Sequence, residues 1–184
     1  MQNSSLYFIA LIPPDDICRE VHAFKEDIAR QYNSIKSLKI IPHITLKAPF
    51  TTGVLKKDDM IVWFNNMAIT TGPFETVLDG FSFFDNPKNP VIFVKPMPST
   101  PLHVLQKEVI HGFQKQFPDS TVHPADKIFH PHMTIAYRDL AYAEFINARK
   151  VYEAKTYNNS FITNALFLLK HNSLEWKVVA KRIL

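Results

Sequence analysis

Cysteine is almost absent: Cys18 is the only one in 184 residues. A single thiol excludes an internal disulfide and a cysteine-built zinc site, and it suits a reducing compartment. Glycine is scarce as well, at four residues, and no Gly-rich phosphate loop of the kind that cradles a nucleoside triphosphate is present. Lys and Arg are scattered rather than massed. The net charge of +4 therefore suits an anionic partner without demanding nucleic acid. The apolar run Leu6 to Ile12 stops at Pro13-Pro14, too short for a membrane span or a signal, and no basic segment precedes it. These absences predict a cytoplasmic protein without membrane contact. What is plentiful is phenylalanine, fifteen residues, which predicts an aromatic-rich core in a chain long enough to bury one.

Read in order, the pattern runs through twice. Leu6 to Ile12 reads as a buried strand. Ile17, Val21, Phe24 and Ile28 make one helical stripe, with Asp15 or Asp16 as cap and an end near Tyr32-Asn33. A strand over about Leu38 to Lys47 follows, then a helix over Lys56 to Met67. Phe74 to Phe84 and Val91 to Lys95 form a hairpin around the turn-rich Asp85 to Pro90. Thr100-Pro101 opens a second helix with the stripe Leu102, Leu105, Val109 and Phe113. A strand over about Ile128 to Arg138, a helix over Ala141 to Ala154, and strands Phe161 to Lys170 and Leu174 to Arg182 complete the second pass. The expected architecture is α+β: one 1–184 domain of two pseudo-symmetric lobes, from repeat halves of about 13–97 and 98–184. Two mostly antiparallel sheets would face a central cleft, with helices outside.

The repeat carries a motif. Pro42-His43-Ile44-Thr45 returns as Pro131-His132-Met133-Thr134, the histidines 89 positions apart. Strand alternation puts His43, Thr45 and Lys47 on one face, and His132, Thr134 and Arg138 on one face of the second copy. It assigns Tyr137 to the core side. Phe50 and Phe84, at strand ends, are expected to pack in the core. Proline in each motif implies an edge strand or a strand start. Two facing imidazoles, one neutral and one charged, supply the base and the acid that in-line phosphodiester cleavage requires. The two threonine hydroxyls can donate to non-bridging phosphate oxygens. Lys47, Arg138 and His130 are candidate substrate-binding residues. His22, His103, His111, His123 and His171 have no partner pattern and are expected at the surface.

The paired motifs, their spacing and the repeat resemble the 2H phosphoesterase superfamily, in particular its 2′-5′ RNA ligase-like, YjcG-like branch, over nearly the whole chain. The resemblance implies a bilobal fold with a central cleft. It implies catalytic roles for His43, Thr45, His132 and Thr134. It also implies metal-independent chemistry, without cofactor, on 2′,3′-cyclic phosphates or 2′-5′ linkages of RNA ends or small nucleotides, hence a place in RNA processing. A monomer is expected. Two other readings stay open on the residues alone. One is a non-catalytic RNA- or nucleotide-binding module using the same cleft. The other is a metalloenzyme built on His130 and His132, which share a strand face.

Overall fold

The computed structural model describes residues 5–51, 57–120 and 123–184. The elements in chain order are β1 (Leu6–Leu11), α1 (Asp15–Tyr32), a 3-10 turn (Lys36–Lys39), β2 (Ile44–Thr51), α2 (Lys57–Asn66), β3 (Phe74–Phe84), β4 (Val91–Pro96), α3 (Thr100–Gln116), α4 (Pro124–Lys127), β5 (Met133–Ala136), α5 (Tyr142–Glu153), β6 (Asn158–Thr163), β7 (Ala165–His171) and β8 (Trp176–Ile183). They build two four-stranded antiparallel sheets, ordered β2-β1-β7-β8 and β5-β4-β3-β6. The expected α+β architecture of two sheets with helices is present.

The helical stripes fall where the periodicity places them. Ile17, Val21 and Ile28 of α1 are buried, as are Leu102, Leu105, Val109 and Phe113 of α3. Helix α1 ends at Asn33, whose φ of 55° is the left-handed conformation that closes helices. Its N-cap is Pro14, and Asp15 and Asp16 sit in the first turn, where their charge favours the helix dipole. One buried cluster runs through both sheets and most helices, so the two lobes share a core. The lobes are not the sequence halves. The first sheet joins β1 and β2 to the β7–β8 hairpin of the second half. The other joins β5 and β6 to the β3–β4 hairpin of the first. The helices interleave too, α1 packing against β5 and α3 against β2.

Three strand boundaries differ from expectation. The first motif strand begins at Ile44 rather than Leu38, because a 3-10 turn occupies Lys36–Lys39 and Pro42 has no N–H for a ladder. The second is only Met133–Ala136, bounded by Pro131 before and by Arg138, at φ 62°, after. The single strand expected over Phe161 to Lys170 is two, in different sheets, divided at Asn164, whose carbonyl accepts the Leu184 N–H at 2.9 Å. Both motif strands are edge strands, as their prolines imply, and they meet each other.

A β-bulge follows each His-x-Thr. Thr45 pairs with Ala10 but Lys47 with Ile9, leaving Leu46 unpaired. Thr134 pairs with Phe93 but Ala136 with Ile92, leaving Ile135 unpaired. One extra residue reverses side-chain parity beyond it. Lys47 therefore turns to the core side with Ile9 and Leu46 instead of sharing a face with Thr45. It is 1% exposed. Its Nζ lies 2.9 Å from Asp126 Oδ2 and over the Phe113 ring at 4.4 Å. Asp126 also accepts the Ala48 N–H at 2.9 Å and the His123 N–H at 3.1 Å. This pair ties α4, which leads into the second motif, to the first motif strand.

Removing one partner leaves the other charge buried and alone. Asp126→Ala is therefore expected to lower the unfolding free energy in urea by about 3–5 kcal/mol, with Lys47→Met/Asp126→Leu recovering most of it. A loss below about 1 kcal/mol for Asp126→Ala would place the pair with exposed ion pairs and remove it as a fold constraint.

Candidate active site

Pro42 and Pro131 keep the chain out of the ladder just before each histidine, and the edge strands β2 and β5, one from each sheet, meet so that both motifs line one cavity of about 190 Å³. His43, Thr45, His132 and Thr134 all line it, together with Phe8, Ile40, Tyr137, Arg138 and Trp176. No carboxylate does so among the described residues. The buried Ser37 hydroxyl, without a hydrogen-bond partner, lies at its wall. A separate small apolar cluster of Phe8, Ala10 and Leu169, with Ile40 and Trp176 packed against it, floors the cavity on the first sheet.

Each imidazole is held in the same way. His43 Nδ1 lies 2.8 Å from the Ile41 carbonyl, and His132 Nδ1 lies 2.7 Å from the His130 carbonyl. A carbonyl only accepts, so Nδ1 carries the proton in both rings. The neutral tautomer therefore has its lone pair on Nε2. Aromatic rings fix the planes. Phe8 lies 4.9 Å from the His43 ring, and Phe84 and Phe93 lie 5.1 and 5.5 Å from that of His132.

Burial pushes the His43 imidazole down from 6.5 to about 4. The Ile41 carbonyl opposes this, and the charges of Lys25 and His132 add to it. Burial also lowers His132, against the His130 carbonyl and with the charge of His130. Both rings thus favour the neutral form until a negative charge enters the cavity.

The candidate substrate-binding residues divide. Arg138 lines the cavity, aimed there by its positive φ, with its guanidinium 5.1 Å from the Tyr137 ring. The turn that carries it is anchored by Asp139, which accepts from Ser34 Oγ and from the Ile35 and Lys36 N–H groups at 2.8–2.9 Å. Lys47 is outside the cavity, turned away by the bulge into its pair with Asp126. The His130 ring is exposed beside Phe84, outside the cavity wall. Its carbonyl, not its side chain, serves the site, which is why Ile41 can occupy the matching position. Tyr137, assigned to the core by simple alternation, lines the cavity because the bulge reverses its parity as well. Phe50 is in the core as expected, while Phe84 is half-buried against His132. Phe8 and Trp176 carry no signal in the sequence, since each reaches the site only through sheet pairing. Among the described residues no three His, Cys, Asp or Glu side chains converge as a metal site, and no helix is long and apolar enough to cross a membrane.

The sequence pattern of the 2′-5′ RNA ligase superfamily matches residues 13–175. The chain belongs to this superfamily. Within it, relatives from Geobacillus kaustophilus and Oceanobacillus iheyensis, whose names propose a phosphoesterase, are each 30% identical over 139 residues. The match covers 76% of this chain and 72% and 74% of theirs. Among solved structures, TT0787 of Thermus thermophilus superposes with a TM-score of 0.64 at 17% identity, over 96% of both chains. Escherichia coli LigT complexed with 3′-AMP superposes with a TM-score of 0.57 at 14% identity, over 99% of both. These two likenesses speak to the superfamily fold.

The depressed His43 predicts a pH dependence of stability. Between about pH 6.5 and about pH 4 the unfolded chain binds a proton at this ring that the folded chain refuses. Stability should therefore decline as pH falls through that window. In urea titrations, His43→Gln should show a shallower decline than the wild type; equal slopes would mean that His43 is not held neutral.

Proposed function

We propose that this member of the superfamily is a metal-independent phosphoesterase. Its substrates are RNA-type 2′,3′-cyclic phosphates or 2′-5′ phosphodiester bonds, at RNA ends or in small nucleotides, and two-histidine acid–base catalysis breaks them. The observation that carries the reading is the pair of rings on one cavity, each with Nδ1–H given to a backbone carbonyl and Nε2 left for proton transfer. The absence of lining carboxylates among the described residues supports an anionic ligand, since nothing there repels a phosphate. A larger hollow of about 750 Å³ adjoins across Ile40 and Trp176, where Asp15, Glu26 and Glu175 mingle with Arg19 and Lys39; the smaller cavity, with both motifs and no carboxylate among the described residues, is the better phosphate site.

In the reaction, one Nε2 takes the proton of the attacking hydroxyl or water as its oxygen bonds to phosphorus. The opposite P–O bond breaks, and the other Nε2–H protonates the leaving oxygen. Thr45 and Thr134 donate to the non-bridging oxygens, where charge builds, and the Arg138 guanidinium offsets that charge. The phosphate dianion or diester raises the proton affinity of whichever imidazole must be charged, so substrate brings in the proton that the cavity by itself disfavours. Run backwards, the same steps join a 2′-5′ bond without ATP.

The test is hydrolysis of the four nucleoside 2′,3′-cyclic phosphates in EDTA. Wild-type turnover should persist in the chelator. It should fall by about 10²–10⁴-fold in His43→Ala and in His132→Ala, and by about 10²-fold in Thr45→Val or Thr134→Val. Because both rings are depressed, the bell of kcat/KM against pH should peak on the acid side of 6.5 rather than at neutrality. Binding of these nucleotides without turnover by the wild type would leave a nucleotide-binding module, and turnover abolished by EDTA would overturn the metal-free mechanism.

A further inference from the structure

The two histidines are alike in their backbone support and burial weighs most on both, yet the charges acting on them differ: Lys25 adds to the effect at His43, and His130 at His132. Lys25 is on α1, 1% exposed, in the middle of a stripe that otherwise reads Ile17, Val21, Ile28. Its Nζ donates to the Ile40 carbonyl at 2.7 Å, and among the described residues it forms no ion pair with a carboxylate. An ammonium buried without a counter-ion is costly, and its field is poorly screened. A purely structural position on this stripe would be served better by leucine or methionine. The residue it braces, Ile40, lines the catalytic cavity and lies three positions before His43. On α3 a neutral side chain bonds the approach to the second motif at a different register: Gln106 Nε2 donates at 3.0 Å to the Asp126 carbonyl, six positions before His132.

We propose that Lys25 is a positioning residue that breaks the symmetry of the site: it steadies the segment carrying the Ile41 carbonyl and, by its charge, reserves His43 as the neutral base, leaving His132 as the acid. This rests on the phosphoesterase reading and goes beyond it by assigning the two roles. In the cleaving direction His43 Nε2 accepts the proton of the attacking oxygen as that oxygen bonds to phosphorus. The leaving oxygen departs with the electron pair of its P–O bond and takes the proton from His132 Nε2. The charged or titratable groups facing the His43 cavity among the described residues are Lys25 from α1, His132 at β5, and Tyr137 and Arg138 just beyond it; β1 and β8 present Phe8 and Trp176. No carboxylate is among them, and the charges of Lys25, His132 and Arg138 are positive when present. Burial lowers Lys25 itself to about 8, with the Cys18 thiol opposing, so its ammonium persists throughout the range in which His43 titrates.

The test uses two variants and two readouts. Lys25→Gln keeps a donor for the Ile40 carbonyl and removes the charge; Lys25→Met removes both. Proton NMR titration of the histidine Cε1–H signals needs no substrate. Wild-type His43 should titrate below His132, and Lys25→Gln should raise the His43 midpoint by about one pH unit, a tenfold gain in proton affinity. The acid limb of kcat/KM should move up by the same amount while the alkaline limb stays in place. Lys25→Met should show the same shift together with a lower kcat. A wild-type His43 that titrates at or above His132 would overturn the proposal without any variant, and so would an unmoved His43 midpoint in folded Lys25→Gln. A shifted midpoint in a protein that hydrolyses no phosphoester would uphold the charge effect and count against the phosphoesterase reading alone.

Discussion

The bond from an imidazole Nδ1–H to the carbonyl two residues upstream governs everything else in the site. It fixes the tautomer, the ring plane and the direction of Nε2 in both motifs. Because a main-chain carbonyl supplies the acceptor, the residue type upstream is free to vary, as Ile41 and His130 show. The proline between that carbonyl and the histidine serves the same end. It withdraws the main chain from the ladder at the one point where the carbonyl must turn toward a side chain. The usual carboxylate partner of a functional histidine is replaced here by a neutral dipole. Among the described residues no carboxylate lines the cavity, and burial favours the neutral form of both rings.

The bulges after Thr45 and Thr134 are the second constraint. Each lets a strand present two side chains to the cavity and then turn its next residues into the core. The first lobe uses the reversed position for Lys47, whose pair with Asp126 binds the entrance of the second motif to the strand of the first. The second lobe places Ala136 there and sends Tyr137 to the cavity. With the sheets completed by each other's hairpins, neither lobe can form its motif strand environment alone. The cavity is a product of both halves at once.

Symmetry of the backbone and asymmetry of the charges have different consequences. The first brings two rings with the same main-chain support to one cavity. The second makes their surroundings differ, with the buried Lys25 ammonium on the Ile40 carbonyl, three positions before His43.

The sequence by itself determined the paired His-x-Thr motif, the helical stripes, the α+β class, and the placement of His43, Thr45, His132 and Thr134 on one side of two edge strands. These follow from local periodicity and from two prolines, which act within a few residues. Tertiary structure decided the rest. Alternation carried past Thr45 assigned Lys47 to the cavity, and past Thr134 it assigned Tyr137 to the core; a single unpaired residue reverses both, and bulges leave no mark in a hydrophobic pattern. The exchange of hairpins and the division of one apparent strand at Asn164 depend on which sheet a strand joins, which its own residues do not encode. Phe8 and Trp176 reach the cavity from opposite ends of the chain, and Lys25 reaches Ile40 from a helix stripe that reads as core. Such meetings are long-range, and only the packed fold supplies them.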